Sequence, residues 1–504
     1  MQKTESQRMA NDDREWQDDE PQQEQTVPAC DQNINVFSLL AVLLSAAFVA
    51  ILNETLLNVA ITPIMNAFQV EPSTAQWLTT VYLLIVAILV PVSAFLIQRF
   101  TTRQLYIVSM TLFGLGTVIS GFAPMFPFLL LGRIIQAAGT GIMIPLLMKV
   151  SLGVIPPTRM GLIMGLMGLV IMFAPAIGPT LSGFIINYLS WRWLFFFVIP
   201  FAVLSILYGI FSLKNVTKLT HPKIDWLSVV LSTLGFGGVV FGFSSASEGA
   251  GGWTDPSVAL SFIVGLAALV WFVLRQVKLE TPILDMRALA YPMFSLALVQ
   301  MIIVMMTMFA TMIVLPIYLL NVLSFSAVTV GLVMLPGGLI NGALSPVMGY
   351  LFDKFGPRWL LIPGMVMITI TIYLLRSLDE GTTPLAIVFL YALLMVSVAM
   401  VMMPAQTNGL NQLPPSLYPH GAAIANTLMQ VSGAIGTALF ITIMTNGQQK
   451  YLASINHPTT ADQAAALAQG VQDSFTFGLI LALIAFVLSL FTKRVSVSPS
   501  KSEF

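Results

Sequence analysis

Two short stretches carry residues whose types and spacing could do chemistry inside a membrane. In Leu52-Asn53-Glu54-Thr55-Leu56-Leu57-Asn58-Val59-Ala60, a carboxylate stands late in an apolar run that begins at Val36. In Leu131-Gly132-Arg133-Ile134-Ile135-Gln136, a guanidinium and an amide stand three residues apart, on one face of a helix. A charge held in hydrocarbon is costly, so an ionisable group there faces a bundle interior or a wet cavity and handles protons or ligand. A buried arginine stays protonated and favours the ionised form of a nearby carboxylate, while burial favours the neutral form. A carboxylate between these opposed effects exchanges its proton readily. Two readings of Glu54 and Arg133 therefore stand: a proton-coupling site, or a permanent ion pair that fixes helix packing.

The elements that must position them follow from composition. Hydrophobic residues make up 57% of the 504-residue chain and charged residues 9%, against about a quarter charged in soluble domains. Mean hydropathy is +0.88. This is an all-α membrane protein, and the lipid bilayer is its first partner. Runs near the length that spans a bilayer lie at 36–66, 74–97, 104–124, 127–149, 160–186, 193–213, 226–246, 257–274, 292–317, 327–350, 359–375, 384–410, 421–444 and 474–492, which predicts 14 transmembrane helices. Of the 22 acidic residues, nine lie in the first 33 positions, and the others fall in loops, at span ends or in the C-terminal tail, except Glu54.

Lysines and arginines concentrate in alternate loops, with only Arg192, Arg376 and Lys450 on the opposite side. This asymmetry predicts both termini in the cytoplasm. Residues 1–35 read as an acidic disordered cytoplasmic tail and not as a signal peptide. The net charge of zero implies no nucleic-acid partner. The single cysteine, Cys30, and the scattered His221, His420 and His457 offer no disulfide and no metal site. There is no phosphate-binding loop or nucleophile elbow, so the expectation is no enzyme and no cofactor beyond a coupling proton.

An internal repeat is visible. Leu96-Ile97-Gln98-Arg99-Phe100 follows the second span as Leu351-Phe352-Asp353-Lys354-Phe355 follows the tenth, and Pro145 with Pro156-Pro157 parallels Pro404 with Pro414-Pro415. The chain therefore divides into a six-helix bundle at 36–213, two inserted helices with linkers at 214–291, a second six-helix bundle at 292–492 and a C-terminal tail at 493–504. Parallel repeats of this kind place a substrate site at the interface between halves, where one half rocks against the other.

Other patterns have two readings each. Gly161, Gly165 and Gly168, then Pro175, Gly178, Pro179 and Gly183, give a bent, closely packed fifth helix that seals one side of the molecule, or ordinary packing glycines. Met301, Met305, Met308 and Met312 recur at helical spacing in the ninth span, as a promiscuous pocket wall or as core and lipid-facing packing. Asn58, Gln136, Asn341, Gln406, Asn408, Asn426 and Gln430 are polar groups available to a cavity. The loop at 446–473 predicts a surface helix capped by Thr460, serving as a connector or as a lid.

These motifs in this order resemble the fourteen-span drug:proton antiporters of the major facilitator superfamily, in the branch of lincomycin-type exporters, over Val36 to Phe491. Leu52 to Ala60 is similar to the family's Leu-Asp-x-Thr-Ile-Val-Asn-Val-Ala pattern, with Asn53 at the aspartate and Glu54 one position later. Arg133 and Gln136 match its Arg-x-x-Gln-Gly motif, and Gly165, Gly178, Pro179 and Gly183 match its fifth-span antiporter motif. Its loop motif is degraded around Arg99 and Arg103, with Gln98 at the carboxylate position, and better kept by Gly349, Asp353, Lys354, Gly356 and Arg358. The resemblance implies the major facilitator fold and a protein of the bacterial plasma membrane that exports lipophilic compounds, antibiotics and dyes, in exchange for protons; the single membrane carboxylate predicts neutral or monocationic substrates, and a monomer is expected. The alternatives are an exporter of one lipid or cell-envelope metabolite, and a transport-dead scaffold.

Overall fold

A computed structural model of the chain describes residues 36–154, 174, 177–213, 215, 225–246, 255–279, 282–379, 381–414, 417–455 and 459–495. These residues are all helix and connection. In chain order the helices are α1 (Val36–Phe68), α2 (Pro72–Arg99), α3 (Thr102–Gly121), α4 (Phe126–Val154), α5 (described at 177–188), α6 (Trp193–Ser212), α7 (Trp226–Ser245), α8 (Pro256–Lys278), α9 (Pro292–Asn321), α10 (Ala327–Phe355), α11 (Arg358–Arg376), α12 (Pro384–Leu410), α13 (Tyr418–Ala453) and α14 (Thr460–Leu490). Among the described residues, 13 helices are long and apolar enough to cross a membrane. The fifth expected span lies mostly outside the described residues, as do Gly161, Gly165, Gly168 and Pro175.

In lipid every backbone polar group must be satisfied within the chain, which is why runs of this composition become helices. The helices sort into two bundles. In the first, α1 packs on α2, α4 and α6, and α3 packs on α4 and α6; in the second, α9 packs on α12, α13 and α14, α10 on α12, and α11 on α12 and α14. The two bundles correspond to the two halves of the sequence repeat. They meet where α2 packs against α13 and α1 against α9 and α10.

Among the described residues, three side-chain bonds cross that junction. Asn321 Nδ2 donates to Thr62 Oγ1 at 3.4 Å, Thr180 Oγ1 donates to the Gly331 carbonyl at 2.8 Å, and the hydroxyls of Thr80 and Thr437 lie 3.2 Å apart. On the first bundle, Thr62, Thr80 and Thr180 all belong to the half nearer the Phe68 end of α1.

The inserted α7 and α8 pack on each other, with Gly235 and Gly238 against Leu269 and Gly265, and α7 also packs on α2 and α13. Phe236 and Val240 of α7 share one apolar cluster with Leu83, Leu84, Ala87 and Ile88 of α2 and with Phe309, Val431 and Ala434 of the second bundle. The insertion therefore covers a seam between the halves.

One expectation needs correction. The stretch at 446–473 holds no separate surface helix: α13 runs on to Ala453 and α14 starts at Thr460. Thr459, not Thr460, is the cap, in a capping box with Asp462. That box starts a helix, and the alanine-rich stretch after it, with high helix propensity, leads straight into the apolar span.

Candidate functional site

Glu54 and Arg133 sit where their helices are buried against neighbours on more than one side. Asn53, Glu54, Thr55 and Asn58 of α1 are all buried, Glu54 at 6% exposure, and Arg133 and Gln136 of α4 are completely enclosed. Arg133 is the largest fully buried side chain among the described residues. Such a cation needs partners, because burying it unpaired costs several kcal/mol.

Its partners are neutral. Arg133 Nη1 donates to Asn53 Oδ1 at 2.8 Å and to Gln136 Oε1 at 2.7 Å, and Nε donates to the Leu78 carbonyl at 3.2 Å. The guanidinium carbon lies 4.0 Å from the centre of the Tyr82 ring, a contact worth about 2 kcal/mol when desolvated. The cradle is itself held: Gln136 Nε2 donates to Thr117 Oγ1 at 2.7 Å, and the Tyr82 and Thr140 hydroxyls are 2.6 Å apart. Hydrogen bonds to a charge contribute roughly 1.5–3 kcal/mol each, so the set can hold the cation without a carboxylate.

Glu54 is one residue, hence about 100° of helix, away from Asn53. Among the described residues, Arg133 and Glu54 make no ion pair within 4.0 Å, and both ion pairs found there lie elsewhere, Arg275–Asp225 and Arg287–Asp285. The Arg133 charge still attracts Glu54 through space. Among the described residues, Arg133 Nη2 and Asn58 Oδ1 at the site find no partner. Chemically, this is a carboxylate beside a buried cation whose described contacts are all neutral.

The other singled-out residues scatter. Met301 is in the core of the second bundle and Met305 and Met308 pack against it. Met301 and Gln406 line a small crevice between α9, α12 and α13. Asn341 Nδ2 donates to the Met395 carbonyl at 2.8 Å, and Asn426 and Gln430 are half-buried on α13. Asn408 is committed elsewhere: its Nδ2 donates to the Lys493 carbonyl and its Oδ1 accepts from Val495 N–H, both at 3.1 Å.

Gly178 and Gly183 mark close approaches, since a Cβ would collide with the Thr55 side chain at the first and the Ala327 carbonyl at the second. Pro179 is buried beside them, its carbonyl 2.9 Å from where a Cβ on Gly331 would stand. Arg99 is exposed, and Arg103 binds the Ile210 carbonyl. Around the second loop motif, Gly349 is open, Lys354 lies over the Phe355 ring, Gly356 has φ +82°, Arg358 donates to the Thr492 carbonyl at 2.6 Å and Asp353 accepts through its carbonyl from Arg494.

Sequence reading missed Tyr82, Thr117 and Thr140. An aromatic or a threonine in an apolar run has no spacing signal that separates a cradle from ordinary packing.

The profile of the Major Facilitator Superfamily matches residues 43–437. The chain belongs to that superfamily. It is a multi-pass membrane transporter of small molecules rather than an enzyme, and its two packed bundles are the halves of the major facilitator fold. The chain is 48% identical to lincomycin resistance protein LmrB of Bacillus subtilis (strain 168), over 94% of its own length and 99% of the relative's. It is 47% identical to the LmrB of Listeria monocytogenes serovar 1/2a, over 92% and 98%. Among solved structures, an inward-facing bacterial homologue of the human lysosomal transporter Spinster superposes with a TM-score of 0.66 at 16% identity, covering 92% of this chain and 99% of that one.

Proposed function

We propose that this major facilitator transporter is a proton-coupled multidrug exporter of the bacterial plasma membrane, acting as a monomer with both termini in the cytoplasm. The observation that carries the reading is the buried Glu54 beside an Arg133 whose described contacts are all neutral. The names of the relatives, resistance proteins for lincomycin, support export of lipophilic drugs.

In this reading Glu54 takes a proton when the cavity opens outward, which releases the drug, and loses it when the cavity faces the cytoplasm. Arg133 favours the second step by stabilising the carboxylate. Proton and drug must oppose each other's binding equally, because coupling is reciprocal. One carboxylate in the membrane suits neutral and singly charged compounds and discriminates against dications.

The test is efflux of lincomycin and of a lipophilic fluorescent dye from cells expressing wild type or Glu54→Gln, with and without a protonophore. Loss of efflux in the variant and in uncoupled wild-type cells is expected. Full efflux in Glu54→Gln would move the proton site elsewhere. No drug or dye efflux from the wild type would favour export of a particular lipid or envelope metabolite.

A further inference from the structure

An arginine sealed from solvent usually meets a carboxylate, because a buried ion without an opposite charge is expensive. Arg133 meets an amide. Asn53 Oδ1 at 2.8 Å and Gln136 Oε1 at 2.7 Å share Nη1, the Leu78 carbonyl takes Nε, and the face of the guanidinium rests on Tyr82. Each described contact is a dipole or a ring, so none of them cancels the positive charge. One donor, Nη2, is enclosed and uncommitted among the described residues.

We propose that Asn53 is a positioning residue for proton coupling: its neutral oxygen anchors Arg133 without discharging it, so that the cation acts on Glu54 alone. The inference rests on the reading of Glu54 as the proton site. The chain has an amide and a carboxylate at consecutive positions, and the amide is the one against the arginine. With Glu54 kept, a second carboxylate at position 53 would neutralise Arg133 where it stands and leave nothing described nearby to favour release of the Glu54 proton. With Asn53 in place, the guanidinium is held still by three acceptors.

Few other described charges bear on Glu54. Of the helices packed against α1, α4 presents Arg133, α2 presents Tyr82, and the described part of α5, where Gly178 meets Thr55, has only Tyr188, at its far end. Arg99 and Lys149 stand towards the far ends of α2 and α4. Described α6 and α9 carry only Tyr208 and Tyr318, the latter donating to the Asp379 carbonyl at 2.7 Å, and α10 carries Tyr350, Asp353 and Lys354 at its far end. Among the described residues, the balance at Glu54 is therefore set by one cation, and by whatever neutralises it.

The experiment uses purified full-length protein in liposomes, with lincomycin as the probe or, should it not be carried, the dye exported by cells. Two activities are compared across pH: accumulation driven by a pH gradient, and exchange of labelled for unlabelled probe without a gradient. The variants are Asn53→Asp, which puts a carboxylate against Nη1 with almost no change of shape, and Gln136→Glu, which does so from the α4 side. Either should lower gradient-driven accumulation at neutral pH by tenfold or more while exchange continues, and move the pH at which accumulation is half-maximal upward by about one unit or more.

A purely structural Asn53 predicts that exchange and accumulation fall together with no shift, and that result would overturn the proposal. So would unchanged coupling in both variants. If Asn53→Asp does not fold, Gln136→Glu carries the test alone. Gradient-driven accumulation that survives in Glu54→Gln would instead sink the assignment of Glu54 and leave the neutral cradle of Arg133 to be explained otherwise.

Discussion

At the scale of single residues, the central feature is geometry that a point charge cannot reproduce. The Arg133 fork reaches an amide on α1, an amide on its own helix and a carbonyl on α2 at once, while its face lies on Tyr82. Lysine offers a charge without the fork or the flat face. Arg133→Lys is therefore expected to fold, to be inserted normally and to lose at least tenfold in drug efflux; efflux at the wild-type level would show that charge alone suffices. Tyr82→Phe keeps the ring and removes the contact with Thr140, so it should cost about 1 kcal/mol of stability and leave efflux largely intact. Tyr82→Leu removes the ring and should behave like Arg133→Lys. Thermal unfolding in detergent beside cellular efflux separates the two effects.

At the scale of elements, glycines decide how close α5 comes to its neighbours. A side chain at Gly178 would enter the space of Thr55, one residue from Glu54. Overpacking of this kind costs roughly 1–3 kcal/mol. Gly178→Val should lower both the unfolding midpoint and efflux, whereas Thr459→Ala, which removes only the cap of α14, should cost about 1 kcal/mol with efflux unchanged. An ion pair joins the neighbouring ends of α7 and α8, where the Arg275 side chain, bonded at 2.8 Å, holds the Asp225 carboxyl down at about 2 from its ordinary 3.8. A depressed carboxyl stabilises the fold above its unfolded value and loses that contribution as pH falls from about 3.8 towards 2. Asp225→Asn should thus cost no more than about 1 kcal/mol at neutral pH, and the difference from wild type should vanish in strong acid. A larger cost at neutral pH would mean that the inserted pair depends on this bond.

At the scale of the whole molecule, the described side-chain bonds between the bundles, Thr62–Asn321, Thr80–Thr437 and Thr180–Gly331, must part if one half rocks against the other. With Cys30 replaced by serine, Thr80→Cys with Thr437→Cys should oxidise to a disulfide that stops efflux, and reductant should restore it; undiminished efflux from the oxidised protein would mean that this junction does not open. Much of this architecture was legible in sequence, because long apolar runs in lipid admit few structures and the repeated loop and proline spacings betray two halves. Glu54 and Arg133 stood out for the same reason, as charges in apolar runs. Which neutral group would hold Arg133 was not legible, since helix rotation and tilt decide whether Asn53 or Glu54 meets it. The commitment of Asn408 to the chain at Lys493 and Val495 was hidden likewise, because that contact joins segments far apart in sequence. The most direct measurement of the central claim is proton release by the purified protein on adding drug in weakly buffered detergent solution. The account predicts release from wild type and none from Glu54→Gln that still binds drug, whereas equal release from both would contradict it.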